Sequence, residues 1–181
     1  MTFDQYTVRP VEMSDAPLFF ELVDRNKDRI RNFLPTTVRE NSSPDFTSAY
    51  IHDKIGSAKA REHYCFVVIH TETKQLVGAI FLKRFDWTIP KCELGYFVDA
   101  ASEGQGVTSG ALGCILKHGF EEMGLNKFFL RAGIDNTGSC KVAEKNGFKK
   151  EGILRNDFKT AGGILIDVVY YGLLKGDFRA R

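Results

Sequence analysis

Two glycines one residue apart, Gly104 and Gly106, stand where the sequence could form an anion-binding turn. A glycine-rich turn that leads into a helix points several backbone N–H groups outward, and the helix dipole adds partial positive charge there. This is the arrangement that holds a pyrophosphate. The backbone N–H groups predicted to face the pyrophosphate are those of Gly104, Gln105, Gly106, Val107 and Thr108.

The elements on either side of this turn are predicted by two different hydrophobic periods. Residues 92–98 alternate between two faces with a period of two, which predicts a strand. Apolar residues then recur at helical spacing up to Met123, and Gly124 supplies a C-terminal stop. The stretch 92–123 therefore predicts a strand, a turn and an amphipathic helix, with Glu93 on the strand.

The rest of the chain predicts an α/β domain with a mixed sheet. We expect helices over 14–23 and 25–33, a loop over 36–44, a helix from Asp45 to about Arg61, and a short helix over 136–146 closed by Gly147. The predicted strands, besides 92–98, are 6–11, 64–70, 75–85, 127–134, 148–158 and 164–174. No linker or repeat divides the chain, so residues 1–181 are predicted to form one domain.

The composition is typical of a globular protein and excludes several classes of function. The chain has 181 residues, 43% of them hydrophobic and 27% charged, with a net charge of +2, so we expect neither nucleic-acid nor membrane binding. The N-terminus has no apolar signal core, which favours a cytoplasmic location. The four cysteines lie 22 to 27 residues apart without a C-x-x-C pair, and the four histidines form no H-x-x-x-H pair or His/Cys cluster. We therefore expect no metal.

The order of these motifs resembles the GNAT superfamily of acyl-CoA N-acyltransferases, and within it the RimJ/RimL-type ribosomal-protein N-acetyltransferases. The resemblance rests on residues 93–96, on the glycine turn, on Asn136 with Ser139, and on residues 144–148. It implies a single-domain, mostly antiparallel twisted sheet flanked by helices. It also implies acetyl-CoA as the acetyl donor, a primary amine as the acceptor, here a protein N-terminal α-amine, and a homodimer.

Three positions depart from the superfamily pattern. Glu103 stands where a Gln or Arg is usual, and Thr108 occupies the last small position of the turn. Ala143 replaces a tyrosine that protonates the leaving thiolate in many members, so a mechanism through that tyrosine is excluded. The ribosomal branch is similar in placing a serine earlier on the same helix, which matches Ser139.

The chemistry of acetyl transfer assigns roles to these residues. An attacking amine must be neutral, so a base helps, and the resemblance favours Glu93; the alternative is a structural ion pair with Arg131 or Lys83. Ser139 is the candidate acid and Asn136 a candidate coenzyme contact, although both also suit a helix N-terminus. Backbone groups of three further residues are expected to meet the pantetheine arm and the acetyl carbonyl: Phe97, Val98 and Asp99.

The sequence therefore predicts an acetyl-CoA-dependent N-acetyltransferase that works by direct transfer in a ternary complex. Small-molecule amines such as polyamines, amino acids or aminoglycosides are alternative acceptors, because acceptor choice is expected in residues 25–61 and 86–91. A non-catalytic acyl-CoA-binding regulatory domain is the alternative from another class. It is favoured by Ala143 and Glu103.

Overall fold

The computed structural model describes residues 1–179, and in this part of the chain eight strands form one sheet. The strands are β1 (Thr2–Phe3), β2 (Tyr6–Pro10), β3 (Tyr64–His70), β4 (Leu76–Asp86), β5 (Lys91–Val98), β6 (Lys127–Gly133), β7 (Lys149–Lys159) and β8 (Leu165–Leu174). The helices are α1 (Ala16–Ile30), α2 (Pro35–Glu40), α3 (Pro44–Lys59), α4 (Val107–Glu121) and α5 (Thr137–Lys145).

The sheet is mixed and mostly antiparallel, as predicted. Its order is β1-β2-β3-β4-β5-β6-β8-β7, and the single parallel pair is β5 with β6. A parallel pair needs a crossover connection, which α4 supplies between these two strands. The turn that precedes α4 therefore lies at the end of β5, beside the parallel pair.

Each face of the sheet is covered by a separate hydrophobic core, because the strands alternate their side chains between the two faces. On β3, Phe66 and Val68 pack into a core with α4, whereas Cys65 and Val67 pack into a core with α1 and α3. Burial on both faces explains why this strand is apolar at consecutive positions. The sheet thus separates an α4 face from an α1/α3 face.

The parallel pair β5–β6 is hydrogen-bonded only at its start. The register runs from Lys91 opposite Lys127 to Glu93 opposite Phe129 and then stops, while β5 stays paired with β4 as far as Val98. Beyond Glu93 the two strands diverge. One edge of β5 is therefore left without a neighbouring strand in the middle of the sheet.

The N-terminal helices differ from those expected. Residues 16–30 form one helix, which Asn26 does not interrupt because it is buried and its side-chain amide donates to the Leu22 carbonyl at 2.8 Å. The predicted loop over 36–44 was wrong in part, because it contains α2 with Pro35 in the first turn, where proline fits a helix well. Helix α3 is capped by Ser43 instead of Asp45. The short strand β1 was not predicted.

The remaining elements begin and end within a few residues of their predicted positions. Within residues 1–179, no helix combines the length and the apolar character needed to cross a bilayer.

Candidate functional site

A cavity of about 580 Å³ lies in the gap where β5 and β6 diverge. Its volume falls within the range of small-molecule sites. Its walls come from β5, β6, the C-terminal end of α1, the glycine turn and the start of α5. The predicted site residues that line it are Glu93, Phe97, Val98, Gly104, Thr108, Asn136 and Ser139. The other four, Asp99, Gln105, Gly106 and Val107, lie outside its lining.

The free edge of β5 faces this cavity. A strand edge offers unpaired backbone donors and acceptors to any extended chain of amides. The Val98 carbonyl already accepts a hydrogen bond from Arg29, and the Asp99 N–H donates to the Val77 carbonyl at 2.7 Å. The edge available to a ligand therefore ends at Val98, since the backbone donor of Asp99 is used within the sheet.

The side chain of Asp99 stabilises this end of the strand. It accepts a hydrogen bond from Arg25 at 2.6 Å and caps the short turn that follows through the Ala101 N–H at 3.2 Å. Burial would raise the pKa of Asp99, but these hydrogen bonds outweigh it and lower the pKa. Asp99 is thus an ionised anchor between α1 and β5.

The glycine turn has the conformation that its sequence predicts. Gly104 and Gly106 have φ values of 74° and 81°, in the left-handed region that costs other L-residues about 1–2 kcal/mol. Gly106 occupies the N-cap of α4, and a Cβ at either glycine would meet no atom within 4 Å, so the space in front of the turn is open. The side chain of Gln105 donates to the Ala101 carbonyl, and Val107 is buried in the core. The outer side of the turn is therefore accessible to a ligand.

Glu103, the carboxylate that departs from the superfamily pattern, is paired with Arg29 of α1. The same guanidinium donates to the Val98 carbonyl and, at 2.9 Å, to the side chain of Asn26, whose Oδ1 also accepts the Ala100 N–H. Arg29 therefore neutralises the charge that the sequence placed beside the turn. Sequence reasoning missed it, because 74 residues separate the two partners and nothing local marks the pair.

Glu93 lies in a cluster of cations. The residue is 5% exposed, and its carboxylate lies 3.3 Å from Arg131, 3.2 Å from Arg84 and 3.8 Å from Lys83. The ion pairs with Arg131 and Lys83, which the sequence analysis gave as the alternative to a base, are thus present, and Arg84 is an additional partner. Burial lowers the pKa of Lys83 although Glu93 opposes the shift. The carboxylate reaches the cavity with its charge balanced by the protein.

Ser139 reaches the cavity from the opposite face of the sheet. Helix α5 packs with α4, and Asn136 caps it by accepting the Ser139 N–H at 3.1 Å. The N-cap role of Asn136 is therefore observed, and the Ser139 hydroxyl is left to make another contact. That contact is the Tyr96 hydroxyl at 2.8 Å.

Tyr96 is a further residue of this site that the sequence reasoning did not single out. Burial raises its pKa to about 12, partly offset by the hydrogen bond with Ser139, so the phenol keeps its proton at neutral pH. Its position on β5, three residues after Glu93, places it on the α4 face while Glu93 points to the α1/α3 face. The two hydroxyls and the carboxylate therefore enter the gap from opposite sides. At the position of the missing tyrosine, Ala143 is fully buried in the core.

A second cavity of about 370 Å³ adjoins the first on the α1/α3 side. The two share lining residues, namely Phe33, Leu34, Lys83, Arg131 and Phe158. Residues 33–54, which belong to the segment where acceptor choice is expected, supply much of the second lining. The 86–91 loop lines neither cavity, since Trp87 stacks on Phe85 with ring centroids 4.9 Å apart and lies against Arg61.

Within residues 1–179, no three His, Cys, Asp or Glu side chains are grouped so that they could hold a metal ion.

The sequence matches a known acetyltransferase family over most of its length. The model of the acetyltransferase (GNAT) domain matches residues 5–149. The chain is 30% identical over 186 residues to the "Putative ribosomal N-acetyltransferase YdaF" of Bacillus subtilis, covering 98% of this chain and 96% of that protein.

Two solved structures share the fold. The ribosomal-protein-S5-alanine acetyltransferase of Vibrio fischeri superposes with a TM-score of 0.91 at 20% identity, covering 99% of this chain and 98% of the other. RimL, a ribosomal L7/L12 alpha-N-protein acetyltransferase solved in complex with coenzyme A, superposes with a TM-score of 0.86 at 21% identity, covering 95% of each chain.

Proposed function

The chain belongs to the GNAT acetyltransferase family and is an acyltransferase, and from that premise we propose that it moves an acetyl group from acetyl-CoA to a protein N-terminal α-amine. Transfer is direct, within a ternary complex. The observation that carries this proposal is the continuous surface formed by the free edge of β5 and the open glycine turn at the start of α4. A similar protein, RimL, has been solved with coenzyme A.

The residues present fit the donor. The strand edge ending at Val98 suits the amide groups of a pantetheine arm, and the N–H groups from Gly104 to Thr108 suit a pyrophosphate. Gly104 and Gly106 leave room for the phosphates, because no Cβ occupies the space in front of the turn. Acetyl-CoA supplies a thioester whose carbonyl carbon an amine can attack. The remaining steps of the reaction are proton transfers and the stabilisation of charge, which the side chains of the protein carry out.

Glu93 is the proposed base. The acceptor amine must lose a proton as its nitrogen bonds to the carbonyl carbon, and Glu93 accepts that proton directly or through one water. The ion pairs with Arg131, Arg84 and Lys83 hold the carboxylate in the gap between the strands. The structural pairing and the base role are thus two functions of one side chain.

Ser139 is the proposed acid, and Tyr96 positions it. When the C–S bond breaks, the sulfur carries the electron pair and needs a proton, which the Ser139 hydroxyl donates. The Tyr96 hydroxyl, 2.8 Å away, fixes the direction of that O–H. Because the Asn136 side chain satisfies the Ser139 N–H, the helix start does not require the Ser139 hydroxyl.

Ser139→Ala is expected to lower kcat about 30-fold with acetyl-CoA binding unchanged, since acid catalysis typically contributes 10²–10⁴-fold and water replaces part of it. Tyr96→Phe is expected to lower kcat about 5-fold in the protein that keeps Ser139. In the Ser139→Ala variant, Tyr96→Phe is expected to have no further effect on kcat. Single-turnover rates of the four proteins in this cycle measure it. If the losses of kcat in the two single variants add up in the double variant, a positioning role for Tyr96 is contradicted. If turnover is unchanged in Ser139→Ala, Ser139 has only a structural role in the helix.

Arg29→Ala is expected to weaken acetyl-CoA binding about 10-fold, because it leaves the Glu103 carboxylate unpaired beside the phosphates. Glu103→Gln in the same protein should restore most of the affinity, since the repelling charge is then removed. Isothermal titration of the single and double variants measures both. Equal affinity of Arg29→Ala and the unaltered protein would mean that the phosphates bind elsewhere.

The proposed function is tested by titration with acetyl-CoA followed by a free-thiol assay against peptides and small amines. We expect binding, and thiol release with peptide N-termini. Binding without thiol release for any amine would favour a regulatory acyl-CoA-binding domain. Release with polyamines or aminoglycosides alone would replace the protein acceptor by a small molecule. Self-association into a homodimer stays a prediction, which sedimentation velocity measures.

A further inference from the structure

The lining of the second cavity carries an excess of positive charge. Its cationic side chains come from α3, β4, β6 and β7 and are Lys54, Lys83, Arg84, Arg131 and Lys159. Two carboxylates, Glu40 and Asp157, share the lining. Two further carboxylates, Glu93 and Asp53, pair with these cations from outside the lining, and positive charges still outnumber negative ones by five to four. The whole chain, by contrast, is almost balanced, with 25 basic and 23 acidic residues.

These cations are not all used by the protein. Arg131 binds Asp157 at 2.7 Å and Lys54 binds Asp53 at 2.8 Å. Lys83 has only Glu93, at 3.8 Å, beyond hydrogen-bond distance. Lys159 is in no ion pair with any carboxylate of residues 1–179. The cavity therefore holds at least two cations that an added anion would stabilise.

The titration of neighbouring groups agrees with this charge distribution. Burial, with smaller contributions from Lys54 and Lys83, lowers the pKa of His63 to about 4, so the imidazole in this lining is neutral at pH 7. Burial also lowers the pKa of Lys83 more than Glu93 raises it. Burial is the larger cause of both shifts, and the neighbouring cations make a further positive charge still less favourable at this place.

We infer that the acceptor is an acidic peptide N-terminus, with Asp or Glu within the first few residues after the reacting amine. This rests on the proposed function, because it names the acceptor of the same site. The carboxylates lie against Lys159 and Lys83, while Phe33, Leu34 and Phe158 contact the apolar parts of the peptide. The cations are spread over four elements, which suits several carboxylates along a chain better than the single carboxylate of a small amine.

The same charges help the chemistry. An ammonium group entering beside Lys83, Arg84 and Arg131 meets three like charges. Only two carboxylates, Glu93 and Asp157, oppose them, so the neutral form of the amine is favoured at the point where it must attack. A polyamine carries several such charges and is repelled as a whole. The acidic peptide is attracted through its carboxylates, and its reacting amine is neutral in the site, so the cations do not repel it.

The test compares three hexapeptides that differ only in residues two to four. These residues are Asp and Glu in the acidic peptide, Asn and Gln in the neutral peptide, and Lys and Arg in the basic peptide. With acetyl-CoA saturating, kcat/KM for the acidic peptide is expected to exceed that of the neutral peptide about 10-fold and that of the basic peptide about 100-fold. The advantage should shrink as salt rises from 50 to 500 mM, since exposed charges are screened over a Debye length of about 10 Å at 0.1 M. Free glutamate and spermidine complete the panel.

Lys159→Glu tests the assignment to this cavity. The ratio of kcat/KM for acidic over basic peptides is expected to fall about 10-fold through KM, with acetyl-CoA affinity unchanged. Lys150→Glu is the matched control, because Lys150 is exposed on the same strand, lies outside both cavities and undergoes the same change of charge. Lys159→Gln, with half the change of charge, should give an intermediate ratio and serves if the Glu variant does not fold.

Turnover that is equal for the three peptides, or highest for the basic peptide or spermidine, would overturn the acidic acceptor while leaving the acetyltransferase intact. Free glutamate reacting faster than the acidic peptide would overturn its peptide nature. An unaltered ratio in Lys159→Glu would overturn the role of this cavity. Absence of thiol release with every acceptor would instead refute the proposed function itself.

Discussion

Glu93→Gln is expected to lower kcat about 100-fold at pH 7, within the range that a general base contributes. The loss should be largest at low pH and should shrink as the pH approaches about 8, where a free α-amine is already neutral without help from the enzyme. Acetyl-CoA affinity should stay nearly unchanged. Initial rates measured from pH 6 to pH 9 with a saturating peptide give the profile.

A control is needed, because Glu93 is also the buried partner of three cations, and its loss is expected to destabilise the fold. Asp15 offers a matched case. Its carboxylate is 4% exposed and accepts two hydrogen bonds of 2.7 Å from Arg9, but it lines neither cavity. Asp15→Asn should lower Tm and keep kcat. If Glu93→Gln behaves in the same way, with an unchanged pH–rate profile, Glu93 is a structural residue and not the base.

Gly106→Glu is expected to weaken acetyl-CoA binding more than 100-fold. The new side chain would project from the N-cap of α4, where φ is 81°, and would place a carboxylate among the N–H groups proposed for the pyrophosphate. Loss of the phosphate contacts and like-charge repulsion act in the same direction. The left-handed backbone adds about 1–2 kcal/mol of strain. Isothermal titration measures the affinity, and circular dichroism checks the fold.

Gly56→Glu is the control for this change. Gly56 lies within α3, and a Cβ there would meet no atom within 4 Å, so the same substitution adds the same charge without blocking a turn. It should bind acetyl-CoA as the unaltered protein does. Retained binding in Gly106→Glu would mean that the start of α4 is not the phosphate site, and the proposed placement of the coenzyme would fail with it.

The elements whose patterns are local could be predicted from the sequence. The period-two alternation of residues 92–98 and the helical spacing after Gly106 are set by which residues face a core, and each falls within a short window. The glycine turn was predictable because only glycine adopts its two left-handed conformations at no cost. Helix α2 was missed because residues 36–44 are polar and show no helical period, although Pro35 in the first turn suits the start of a helix.

What the sequence alone determined is the set of groups available for the chemistry: a carboxylate on the strand before the turn, a serine on the helix after β6, and backbone donors between them. The tertiary structure alone decided how these groups are balanced. Arg29 pairs with Glu103 across 74 residues, Tyr96 hydrogen-bonds Ser139 across 43, and four elements bring five cations to one cavity. Coulombic and hydrogen-bonding interactions depend on the distance between groups in space. That distance is determined by the divergence of β5 from β6 and by the packing of α1 and α5, which the sequence alone does not reveal.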